Sequence, residues 1–279
     1  MTATPAREGL AQPTAQTPQF RTTRWAAMSA VFLHQLHRTR RAWGSSLAAG
    51  LASPTLFLFA IGAGLGSQID DVELAALGVD SYLDYIGPGV LIVTAMQVAA
   101  TESLWATMGM LRWGGVYQAV LATPITSAEL GVAHVIWLGF RALVAGGSFL
   151  LVLAVAGTIA SWFGVLIALV AVLVAWSHAA PLVALTVGLK QENVYPMISR
   201  VVIFPLFLFS GAFFPVEDMP RAVGAFAKIT PSWHGVELAR HLALGGPGRV
   251  DIIHSGYLVV VCAAGFFLVQ RQFRKHLDV

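Results

Sequence analysis

The stretch ALVAGGSFLLVLAVAGTIASWFGVLIALVAVLVAWSHAAPLVALTVGL, residues 142–189, contains no Asp, Glu, Lys or Arg. A helix needs about 20 apolar residues to cross a bilayer. This run therefore holds parts of two crossings, with the turn near Gly157 to Ser161 where small and polar residues gather. A buried helix of a water-soluble protein rarely runs so long without a polar face. Residues 42–69, 85–101 and 252–270 are likewise free of charge and approach or match the same length. Only 11% of all residues are charged, 57% are apolar, and the mean hydropathy is +0.72. A soluble domain carries about 25% charged residues. The chain lacks the polar surface to stay dissolved.

Lengths and charge gaps place six spans at about 47–66, 85–108, 130–156, 162–188, 196–213 and 252–270. The expected fold class is an all-α polytopic membrane protein. Basic residues set its orientation, because they favour the cytoplasmic side. Residues 1–46 carry six arginines against one acid, Glu8, and the tail after Gln270 carries Arg271, Arg274 and Lys275 against Asp278. The loop at about 67–84 holds Asp70, Asp71, Glu73, Asp80 and Asp84 with no base. Both termini are then cytoplasmic and that loop is external, which requires an even number of crossings. The excess of Arg over Lys, with Ala, Val and Gly dominant, points to a GC-rich bacterial genome and so to a bacterial inner membrane.

The chain divides into a disordered cytoplasmic tail (1–21), an amphipathic interfacial helix (22–42), a membrane domain (43–270) and a cytoplasmic tail (271–279). Within the membrane domain lie a loop at 109–129 and an external hairpin at 214–250. Residues 1–21 have no apolar core and are not a secretory signal; an Arg-rich organelle presequence is the alternative reading. In the next helix Trp25, Met28, Phe32 and Leu36 recur at helical spacing, with Arg24, His34, His37, Arg38, Arg40 and Arg41 between them. His34-x-x-His37 has no acid or cysteine nearby, so no metal is expected there. The hairpin balances Arg221, Lys228, Arg240 and Arg249 against Glu217, Asp218, Glu237 and Asp251. Its two short helical pieces, about 218–229 and 233–244, flank the helix-start signal Thr230-Pro231-Ser232 and are too short to span, so they read as interfacial or re-entrant.

Two ionisable residues fall inside spans, Glu102 in the second and Arg141 in the third. Charges at such depth are costly and usually paired or facing water. The spans are consecutive and antiparallel, so an ion pair is expected, with lining of a substrate path as the alternative role. His134 and His178 lie on span faces, where imidazoles bonded to backbone carbonyls are expected. The tryptophans, Trp25, Trp43, Trp105, Trp113, Trp137, Trp162, Trp176 and Trp233, mostly sit near span ends and read as an interfacial belt. Cys262 excludes an intrachain disulfide, and Gly62-x-Gly64-x-Gly66 reads as a helix-packing surface.

The loop RWGGVYQAVLATPITSAE, residues 112–129, carries the most information about mechanism. Val116, Tyr117, Val120 and Leu121 give a short helix at 115–122 one apolar side. Thr123-Pro124 ends it, and Thr126 with Glu129 has capping-box spacing at the start of the third span. An apolar-faced helix with nothing of its own to bury against suggests a partner protein; the bilayer surface is the alternative.

Arg112 followed by Tyr117-x-x-x-Leu121-x-Thr123-Pro124 and Glu129 resembles the coupling-helix region of type-2 ABC exporter permeases. Ser210-Gly211-x-Phe-Phe214-Pro215, then Pro231 through Arg240, is similar to the fifth span and re-entrant hairpin of that family. The likeness is closest to the nodulation-factor (lipo-oligosaccharide) exporter permeases, and next to daunorubicin-type drug permeases. The resemblance implies a half-transporter. Two such subunits, either two copies or a copy and a paralogous permease, would form one pathway for an amphipathic substrate. Two separate cytoplasmic ABC ATPase subunits would hold the ATP and Mg. The chain itself has no G-x-x-x-x-G-K-[ST] and is expected to bind no cofactor, metal or nucleic acid and to catalyse nothing. An intramembrane lipid-modifying enzyme and an ion-coupled secondary transporter are the alternatives.

Overall fold

The computed structural model describes residues 23–61, 64, 70–189 and 191–278, and every regular element among them is helical. Helix α1 (Arg24–Thr39) passes through the 3-10 turn Arg40–Ala42 into α2 (Trp43–Ala60), and α3 (Asp71–Leu77) is short. Then come α4 (Tyr82–Trp113), the six-residue α5 (Val116–Leu121), α6 (Ser127–Val155) and α7 (Trp162–Gly188). The chain ends with α8 (Val194–Leu208), α9 (Arg221–Ile229), α10 (Pro231–Leu244) and α11 (Arg249–Leu277). The tail expected at 1–21, Gly62 and Gly66, and the end of the first expected span lie outside the described residues, as do the side chains of Trp43, Asp71 and Glu73.

Among the described residues, α4, α6, α7 and α11 are long and apolar enough to cross a membrane. The chain is a multi-pass membrane protein. Helix α8 is shorter than the span expected at 196–213. At 1.5 Å per residue it covers roughly 22 Å, against a hydrocarbon core of about 30 Å. The apolar run continues to Phe214, but Gly211 takes φ +81 and turns the chain. The π-turn Ser199–Ile203 precedes Pro205, which has no N–H to return to that turn.

Helices α4 and α7 form the centre. The most apolar stretch of each is 72% and 56% buried, against 39% for α6 and 28% for α11. Helix α7 packs on α4, α6, α10 and α11. Close approach here depends on small residues, since lipid tails are as apolar as the side chains they compete with. At Gly139 a Cβ would sit 2.1 Å from Trp176 Nε1, whose N–H donates to Val135 O at 3.0 Å.

The N-terminal helix does not use the face expected of it. It packs against α6, and its deepest residues are Ala27, Val31 and Gln35; Met28, Phe32 and Leu36 flank them, and Trp25 is 78% exposed. Phe32 meets Trp137 and Phe140 edge-on at 5.4 and 5.3 Å. The tryptophan belt also needs correction. Trp25, Trp113 and Trp162 are exposed, but Trp137 is buried, Trp176 bonds inside the bundle, and Trp233 packs on two histidines.

Candidate coupling site and intramembrane ion pair

Helix α4 reaches its end through two π-turns, Glu102–Ala106 and Gly109–Trp113. Such wide turns break the regular ladder and recur at functional positions. Arg112 Nη2 then donates to Leu189 O, tying the ends of α4 and α7, and Trp113 Nε1 donates to Glu192 Oε1 at 3.2 Å. Gly115 takes φ +57, a conformation open to glycine, and redirects the chain into α5.

The apolar side of α5 faces the bundle. Tyr117 is 1% exposed, edge-on to His134 at 5.9 Å and tilted against Phe273 at 5.8 Å. Burial pushes its phenol pKa well up, and the buried hydroxyl has no hydrogen-bond partner. Val116, Val120 and Leu121 are half-buried against the core. Gln118, Ala119, Ala122, Thr123 and Pro124 are exposed. Beyond α5, Thr123 Oγ1 donates to Val120 O at 2.6 Å, and the chain turns at Pro124. Thr126 Oγ1 accepts from Glu129 N at 3.3 Å while Glu129 Oε2 accepts from Thr126 N at 3.0 Å, a closed capping box at the head of α6. An apolar groove of about 380 Å3 runs between α1 and α5, with Val31, Val116, Val120, Thr123 and Ile125 in its walls.

Under α5 lies a buried polar network that sequence reasoning missed. Arg38 Nη2 donates to Gln35 Oε1 at 3.2 Å, which turns the Gln35 amide nitrogen toward His134 Nδ1, also at 3.2 Å. Nδ1 of His134 therefore accepts, and its Nε2–H donates to Thr107 Oγ1 at 2.9 Å. His134 was expected to find a backbone carbonyl; instead it joins α1, α4 and α6 through side chains. His178 does bond a carbonyl, Val174 O, at 2.8 Å.

The two intramembrane charges meet. Arg141 Nη2 and Nε lie 2.7 and 2.8 Å from Glu102 Oε1, with the side chains 23% and 21% exposed. Glu102 opens the first π-turn, so the ion pair and the Arg112 contact bracket the irregular part of α4.

A family profile described as ABC-2 type transporter matches residues 27–244. The chain belongs to the ABC-2 type transporter family. Nodulation protein J of Rhizobium meliloti (strain 1021) is 29% identical over 84% of this chain and 87% of its own length. Nodulation protein J of Rhizobium leguminosarum bv. viciae is also 29% identical, over 84% and 88%. Inner membrane transport permease YadH of Escherichia coli (strain K12) is 24% identical over 88% and 93%.

In this ABC-2 type transporter the hairpin residues gather at the other end of α4. Arg240 donates from Nη2 to Gly211 O at 2.9 Å, from Nε to Tyr85 O at 3.3 Å and from Nη1 to Glu237 Oε1 at 2.7 Å. Its guanidinium carbon stands 3.9 Å from the centroid of the Tyr85 ring. Ser210 is buried and accepts from Ala212 N; Phe214 is exposed and Pro215 precedes the 3-10 turn Val216–Asp218. Pro231 occupies the first turn of α10, where Thr230 caps Trp233 N at 3.3 Å. His234 Nδ1 lies 2.8 Å from His254 Nδ1, and His241 Nδ1 lies 2.7 Å from Asp251 Oδ1. Among the described residues no group of three or more His, Cys, Asp or Glu is placed to hold a metal, and His34 and His37 are both exposed.

Proposed function

We propose that the chain is the permease subunit of an ATP-driven exporter in a bacterial inner membrane. It moves an amphipathic substrate, a drug, lipid or lipo-oligosaccharide, out of the cytoplasm or the inner leaflet. Two cytoplasmic ABC ATPase subunits hold ATP and Mg, and a second copy or a paralogous permease completes the pathway. Membership of the ABC-2 type transporter family and the likeness to nodulation protein J and to an inner membrane transport permease support this reading. On it, α2 and α8 complete six crossings, both termini are cytoplasmic, and α9 and α10 form a re-entrant hairpin outside.

The observation that carries the mechanism is the two-sided character of α5. One side is fixed in the bundle through Tyr117, while Ala119, Ala122, Thr123 and Pro124 stand exposed at the rim of an apolar groove. A partner seated there moves Tyr117 and, through His134, the helices behind it. Arg112 and Glu129 fix the two ends of the loop. The Glu102–Arg141 pair, partly exposed at membrane depth, offers charge to a polar path while avoiding the cost of an isolated ion in lipid.

Co-reconstitution with the ATPase tests the reading. Thr123→Arg and Pro124→Arg should leave helicity and thermal stability unchanged while separating ATP hydrolysis from export. Undiminished transport in both variants sinks the coupling role of α5.

A further inference from the structure

Helix α6 begins beside the first turn of α1 and the last turn of α11, and the three enclose a cavity of about 430 Å3. It lies where one candidate span starts and another ends, the level of lipid headgroups. Its wall holds two bases and two acids: Arg24 from α1, Arg274 from α11, Asp278 just beyond it, and Glu129 in the first turn of α6. Among the described residues none of these four is in an ion pair. The capping box occupies the amide of Glu129, so the amides of Ser127 and Ala128 remain at the positive end of a 29-residue helix.

Ser127 is a second and independent sign of a ligand. It lines the cavity, is only 1% exposed, and its hydroxyl has no hydrogen-bond partner. A buried hydroxyl left unpaired is costly, and an acceptor oxygen brought into the cavity removes that cost. Thr126 and Gln270 add polar groups to the wall, and Met28, Ala128 and Val132 make up its apolar part. Met28 is shared with a groove of about 320 Å3 along the α1–α6 seam, between Trp25, Phe32, Leu33 and Ile136.

A chamber with charges of both signs that opens on an apolar groove matches a lipid with a zwitterionic head. We infer that this junction binds one glycerophospholipid of the ethanolamine type. Its phosphate sits between Arg24, Arg274 and the first amides of α6, with an oxygen accepting from Ser127 Oγ. Its primary ammonium donates to Asp278 and Glu129, and one acyl chain follows the groove past Met28. A glycerol head has no cation for the two carboxylates, and a trimethylated ammonium has no N–H to donate. This binding does not depend on the transport reading.

The test uses the full chain in vesicles of equal parts phosphatidylethanolamine, phosphatidylglycerol and phosphatidylcholine, re-extracted in mild detergent and weighed by native mass spectrometry. One ethanolamine lipid per chain should be retained, about tenfold over either other lipid, which is the discrimination expected of one well-made polar contact. Arg24→Gln with Arg274→Gln should abolish retention while helicity stays unchanged. Asp278→Asn should erode the preference for ethanolamine over glycerol heads, and this variant carries the test if the double change misfolds. Equal retention of all three lipids, or retention undiminished in the variants, overturns the proposal. Retention that appears only after residues 1–20 are deleted gives the chamber to the chain's own N-terminal segment and overturns it as well.

Discussion

The ring of Tyr117 stands edge-on to the ring of His134, their centroids 5.9 Å apart, where the short helix α5 meets the bundle. His134 is held in turn by Gln35 of α1 and Thr107 of α4, and Phe273 of α11 closes the other side of Tyr117. A displacement of α5 therefore reaches four helices through one aromatic contact. Tyr117→Ala should cost about 3–5 kcal/mol, the usual range for emptying a large buried aromatic site. Tyr117→Phe keeps the ring and removes a buried hydroxyl that has no hydrogen-bond partner, so it should leave stability unchanged or slightly raised. Thermal unfolding in detergent separates the two; equal losses would mean that the ring packing carries little.

Glu102 and Arg141 share one carboxylate oxygen at 2.7 and 2.8 Å. Removing either partner strands the other, at a cost of about 3–5 kcal/mol for a fully buried pair and less here because each side chain is about a fifth exposed. In a double-mutant cycle with Glu102→Gln and Arg141→Gln, the double variant should be no less stable than the worse single one. Strictly additive losses would leave the pair without energetic content.

Arg240 satisfies two carbonyls and a carboxylate from one planar group lying over the Tyr85 ring. A lysine cannot copy that fork. Arg240→Lys should therefore behave like Arg240→Ala, each losing about 2–4 kcal/mol as buried acceptors go unpaired. Full rescue by lysine in an unfolding assay would reduce Arg240 to a point charge.

Burial, and then the neighbouring His254, hold the His234 imidazole down to about 4. The folded state thus prefers neutral His234, whose ordinary pKa is about 6.5. Its contribution to stability is complete above that value and is lost as pH falls from about 6.5 through about 4. His234→Gln should flatten the fall in melting temperature across this window. An identical fall in wild type and variant would place the titration elsewhere.

The membrane class and the four long helices were legible because charge-free length is a local property of the chain. The Thr126–Glu129 box was legible for the same reason, its partners being three residues apart. Glu102 and Arg141 could be paired from sequence because charges are so scarce in consecutive spans. What escaped depends on distant neighbours. Gln35 is polar and is not part of the stripe Trp25, Met28, Phe32 and Leu36, yet His134, far along the chain, satisfies it in the interior. Tyr117 was assigned to a surface facing a partner, while the bundle supplies His134 and Phe273 to receive it. The early end of α8 follows from the turn at Gly211, whose carbonyl Arg240 satisfies from α10. The π-turns of α4 have no sequence signature of their own.

Those π-turns make α4 unequal in what it can lose. Each holds one residue more than an α-turn needs. Deleting a single residue within Glu102–Ala106 or Gly109–Trp113 lets an ordinary turn close while the flanking faces keep their directions. The same deletion in the regular stretch near Leu91 swings everything beyond it by about 100°. Length variation in this helix is therefore absorbed at the end that carries Arg112 and leads into α5, and refused at the centre of the bundle.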